Sequence, residues 1–146
     1  MNQRIDPRSE IFFMIISAVI FGYFGFATAW PQYTAAQPPQ LIPMVVVLKW
    51  TLRAGAAAFA LSALLAVLGS ILGAMLYSIA GLITAGLFLV VAVWDVTSPF
   101  NSGIHWILLV IFALWNGFGS WNGLRAVLAS RKVSRSGDDS PMSMTG

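Results

Sequence analysis

From Met44 to Trp94 the chain runs for about fifty residues with Lys49 and Arg53 as its only charged side chains. That is too long for one bilayer crossing and fits two of about 20 residues each. A charge-free stretch, Ile11 to Trp30, precedes it, and a further apolar stretch, Ile104 to Ser130, follows. Soluble domains average about 25% charged residues. Here the figure is 9%, with 58% hydrophobic, which excludes a disordered chain and an ordinary water-soluble domain. The reading is an all-α integral membrane protein: a four-transmembrane-helix antiparallel bundle with short loops and a disordered C-terminal tail. The helices are expected at about 11–30, 44–68, 72–94 and 104–130. Residues 1–10 form a cytoplasmic tail, 11–130 the membrane domain and 131–146 the polar tail.

The joints between segments follow from turn chemistry. Gly69-Ser70, with Gly73 nearby, is the natural break between the second and third segments, because glycine accepts the positive φ of a tight turn. Residues 31–43 contain Pro31, Pro38, Pro39 and Pro43. Proline lacks an N–H and favours extended geometry before it, so this connector reads as an exposed loop, neither strand nor helix. Pro43 is suited to open the next helix, where its missing donor costs nothing.

Charge sets the orientation. Arg4, Arg8, Arg125, Arg131, Lys132 and Arg135 lie on the side of the two chain ends, against Lys49 and Arg53 on the other. The positive-inside rule then puts both termini in the cytoplasm of a multi-pass cell-membrane protein. Trp30, Trp50, Trp94 and Trp106 fall at the outer boundary, where amphipathic rings prefer to sit. Ala27-Thr28-Ala29 also has the pattern of a signal-peptidase site. The length of the preceding run and its small-residue stripe favour a retained helix, and a mature chain beginning at Trp30 would remove it.

In lipid, helices associate through small residues that let backbones approach. Gly22 and Gly25 supply this stripe in the first segment, Gly81 in the third, and Gly119 and Gly123 in the fourth. They are candidates for packing within the bundle or for an oligomer interface. Trp115-Asn116-Gly117 recurs as Trp121-Asn122-Gly123. Six residues turn a helix by about 240° net, so the two copies face different ways.

Polar residues within the apolar segments are candidates for function by default. Taking the second and third segments as mirror images about Gly69-Ser70 sets Arg53 level with Tyr23, with Thr84 and Asn116 about one turn deeper. The expectation is a polar layer of Tyr23, Arg53, Thr84 and Asn116 that holds an anion or polar headgroup, since Arg matches carboxylate and phosphate geometry. The alternative is that Arg53 reaches the surface and Asn116 bonds a nearby backbone. A second cluster is expected at the outer surface: Lys49, Asp95 and His105, with Thr97, Ser98, Asn101 and Ser102. An Asp95–Lys49 pair is plausible there, and Asp95 could also meet His105. Glu10 belongs to the cytoplasmic end and is too distant to join it.

Catalytic chemistry is poorly supplied. The chain has no Cys and one His, His105. That excludes thiolate sites, c-type haem and the common multi-His zinc sites. It has no G-x-S-x-G, P-loop, HExxH or G-x-G-x-x-G pattern. The reading is therefore no enzyme, no catalytic residues, no metal and no cofactor. The basic residues flank apolar segments, so nucleic acid is not the expected partner; the lipid bilayer and another membrane protein or a second copy are. The expected role is a non-catalytic accessory, assembly or scaffolding module. The competing expectation is a small homo-oligomeric transporter or channel for an anionic or polar solute.

Overall fold

The computed structural model describes residues 7–100 and 102–138, and side chains for 10–100, 102–125, 127 and 128. Among these residues the structure is predominantly helical, without strands. Four helices are long and apolar enough to cross a membrane. Asn101, the start of the N-terminal tail and the end of the C-terminal tail lie outside the described residues.

Helix α1 spans Pro7–Gly22. Its described part already includes the four residues before the expected Ile11. The helix then widens into a π-helical turn, Tyr23–Ala27, which ends where Thr28 becomes extended (ψ 134°). The connector corrects the expectation of a loop without helix. Pro31 sits in the first turn of a short helix, α2 (Trp30–Ala35), and Pro39–Leu41 form a 3₁₀ turn. The same residues that stop a helix from the inside start one from its N-terminal end.

Helix α3 spans Ile42–Val67, with Pro43 in its first turn. Gly69 then takes φ +73°, and the Ser70 hydroxyl accepts the Leu72 N–H at 3.3 Å to cap α4, Ile71–Thr97. The break falls at the dipeptide that turn chemistry selects. Gly103 takes φ +74° in the loop before α5, Trp106–Asp138. The backbone of 131–138 is therefore helical, correcting the expected start of disorder at Arg131. Arg and Lys are good helix formers, and no Gly or Pro interrupts the chain until Gly137.

Helix α1 packs on α3, α3 on α4, and α4 on α5; no comparable backbone packing joins α1 to α5 among the described residues. The centre is aromatic. The Phe21 ring centroid lies 5.0 Å from Phe59 and 5.5 Å from Phe88, and Phe59 lies 5.4 Å from Tyr77. Phe21, Phe59 and Phe88 are fully buried. Aromatic side chains bridge to α5 from α1, with Phe13 against Trp115 at 6.0 Å, and from the π turn, with Phe24 against Phe112 at 6.3 Å. The result is an open seam between the first and last long helices.

Candidate functional site

Arg53 is held by the π-helical turn. Its Nε donates to the Gly25 carbonyl at 2.9 Å, and the same oxygen accepts the Trp30 indole N–H at 2.9 Å. The guanidinium carbon lies 5.1 Å from the Phe26 ring centroid and 5.8 Å from that of Trp50, within cation–π range. Glycine at position 25 suits this close approach, since a Cβ there would lie 3.2 Å from the Arg53 backbone nitrogen. Trp30 is buried within the bundle. Its indole folds back onto the π turn because that turn presents a carbonyl able to take side-chain donors.

The four residues of the expected polar layer are not joined to one another by hydrogen bonds among the described residues. Tyr23 is 66% exposed, its ring edge-on to Phe24. Thr84 Oγ1 donates to the Gly81 carbonyl at 3.1 Å, and Asn116 Nδ2 to the Phe112 carbonyl at 2.8 Å. Thr84 and Asn116 have each taken a carbonyl of their own helix. The mirror argument assumed uniform helices, and the π turn breaks that uniformity just where Tyr23 lies.

The other cluster is organised around Ser102, which is buried. Its hydroxyl donates to Asp95 Oδ1 and accepts the Ile104 N–H at 3.0 Å. Its carbonyl accepts the Tyr33 hydroxyl at 2.7 Å and the Gln37 amide at 3.1 Å. The connector, the end of α4 and the last loop are thereby tied together. Asp95 and His105 line one surface depression of about 490 Å³, without an ion pair. Lys49 is drawn elsewhere, with Nζ 5.6 Å from the centre of the Trp50 ring.

Burial pushes the Tyr33 phenol above its ordinary value of 10.0; the bond to Ser102 acts in the opposite sense, and the Asp95 charge adds to the rise. Tyr33→Phe is expected to cost about 1 kcal/mol at neutral pH through the lost hydrogen bond. The sign with pH follows from linkage. A raised folded-state value stabilises below the unfolded value and is lost as pH climbs through the folded one. The stability gap between the native chain and Tyr33→Phe should therefore narrow above pH 10, as followed by unfolding in mild detergent.

The glycine stripes divide in two. A Cβ on Gly81 would overlap the Ser120 hydroxyl, and one on Gly123 would lie 2.9 Å from Ser78 Oγ, so both serve the tight α4–α5 seam. Gly22 faces Ala56 at van der Waals distance, whereas Gly119 has only the Tyr77 hydroxyl within reach, at 4.0 Å. Along the same seam Ser78 Oγ, Ser120 Oγ and Asn116 Oδ1 are buried without a hydrogen-bond partner. Such groups are uncommon, because each carries an uncompensated desolvation cost.

Gly119 and Gly123 also line a cleft of about 530 Å³ between α1 and α5 with α4 as its floor. Phe13, Tyr77, Trp115 and Phe118 supply most of its wall, and Glu10, Ser78 and Asn122 its polar groups. Its volume falls within the range of about 300–1,000 Å³ typical of small-ligand sites. Sequence reasoning missed this cleft by treating Glu10 as part of a tail. The signal was present: Glu10, Met14 and Ser17 recur at helical spacing, and Met14 and Ser17 are buried. Glu10 opens the 18-residue apolar span that ends at Ala27.

No protein-family model matches this chain, and comparison with curated proteins and with solved structures likewise finds no match.

Proposed function

We propose that this chain is a multi-pass protein of the cell membrane, with four antiparallel crossings and both ends in the cytoplasm. In that setting it acts as a non-catalytic accessory or assembly module that docks another membrane protein or a second copy. The observation that carries this reading is the filled axis. Phe21, Phe59 and Phe88 close the centre of the bundle, and Thr84 and Asn116 turn their donors onto their own helices. These side chains fill the axis among the described residues, which favours a role for the lateral surface. Large apolar side chains are exposed along every long helix, as a lipid or protein neighbour requires, among them Val19, Leu64, Ile83 and Phe118. The six-to-two distribution of basic residues supports the orientation.

Affinity purification of the tagged full-length chain in mild detergent, with mass spectrometry and size analysis, tests the role. A membrane partner at fixed stoichiometry, or a stable homo-oligomer inert to solute flux in proteoliposomes, is the expected result. A partner-free particle that carries an anion across vesicles would overturn it and favour a transporter. A C-terminal reporter should read cytoplasmic; an external reading refutes the topology.

A further inference from the structure

We propose that the cleft between α1 and α5 is a binding site for an amphiphile with an ammonium head and an apolar body. The inference uses the membrane placement argued above but not the assembly role, so a partner search and a ligand search fail independently.

Shape narrows the occupant first. The cleft opens sideways between two helices, yet the Phe13–Trp115 contact at 6.0 Å bridges its two walls. It is therefore a pocket of about 530 Å³ and not a continuous groove for a partner helix. Its walls are overwhelmingly apolar and aromatic, which suits a hydrocarbon chain or ring.

Charge narrows it further. Glu10 is the one charged lining group among the described residues. It is half-buried. A carboxylate beside apolar walls without a counter-charge is costly, and a cation entering the cleft relieves that cost. The faces of Phe13, Tyr77, Phe118 and Trp115 add attraction for the same charge, as aromatic cages do for ammonium groups. An anionic head meets repulsion from Glu10 and from the ring faces alike. The Asn122 amide in the cleft wall adds hydrogen-bonding capacity for a polar head.

The ammonium has two available sources: the headgroup of phosphatidylethanolamine and a free alkylammonium. The test uses the full-length protein in dodecyl maltoside micelles, whose headgroup carries no ammonium, with two twelve-carbon probes, each bearing a diazirine in the chain. One ends in an ammonium and the other in a carboxylate. After irradiation, labelled peptides are mapped by mass spectrometry. The ammonium probe should label the α1 segment around Phe13 and the α5 segment around Trp115, saturably and about tenfold more strongly than the carboxylate probe, as about 1.4 kcal/mol of differential interaction implies. Glu10→Gln should abolish the preference while leaving chain-driven labelling. Gly119→Leu, whose new side chain grows into the open cleft, should suppress labelling by both probes. Adding phosphatidylethanolamine distinguishes the sources. Competition identifies the lipid headgroup as an occupant, and undiminished labelling identifies the free amphiphile. Equal labelling by the two probes, or a preference unchanged in Glu10→Gln, overturns the proposal.

Discussion

Gly73→Leu is expected to lower stability by about 3 kcal/mol or more, the upper part of the range for overpacking a well-filled site. A Cβ at Gly73 would lie 2.6 Å from the Ala66 backbone nitrogen and 2.7 Å from the Ser62 carbonyl oxygen. Neither can rotate aside, because both belong to the α3 backbone. The two helices must separate at the end nearest the Gly69 turn, forfeiting the close approach that drives helix association in lipid. Gly119→Leu provides the contrast. The nearest atom there is the Tyr77 hydroxyl at 4.0 Å, so the change should stay within about 0.5 kcal/mol. Thermal or denaturant unfolding in mild detergent would compare them. Equal midpoints would show that the α3–α4 contact is not as tight as this geometry requires.

The second large effect is expected at Arg53. Arg53→Met removes the charged hydrogen bond to the Gly25 carbonyl and the contacts over Phe26 and Trp50, while preserving much of the side-chain volume. A loss of about 2 kcal/mol is expected, the middle of the range for a hydrogen bond from a charged group. The Trp30 indole still holds the same carbonyl, which keeps the loss from being larger. Arg53→Lys should recover little, because the bond uses the guanidinium Nε and the ammonium is a compact point charge without that planar fork. The same unfolding measurement decides: native stability in Arg53→Met would mean that the π turn holds without its arginine.

The two effects show how unevenly the structure could be read in advance. Gly69 and Ser70 were legible as the break in the long apolar run, because positive φ and helix capping are local properties of a few residues. Pro43 was legible for the same reason. The connector was misread, because proline is compatible with both a loop and a helix start. Only the burial of Trp30 and Leu41 against the bundle decides between them. Arg53 stood out as a rare internal charge, yet its acceptor was hidden. No sequence rule singles out the Gly25 carbonyl until the π turn has formed and α3 has packed across it. Glu10 was hidden for a different reason. Its helical spacing with Met14 and Ser17 marks an inward face, but the open seam it faces exists only because α1 and α5 do not pack backbone to backbone.

Hydrophobic segment length and the backbone preferences of individual residues are enough to make this chain helical, to place its four long apolar elements and to set the turn at Gly69. Which small residues touch, which carbonyl Arg53 binds and the lateral cleft beside Glu10 emerge only once the helices have packed. These depend on helix register and neighbour choice, and in a chain this uniformly apolar many registers bury the same kind of surface. Shape complementarity among Gly25, Gly73, Gly81 and Ser120 supplies the discrimination that polarity does not.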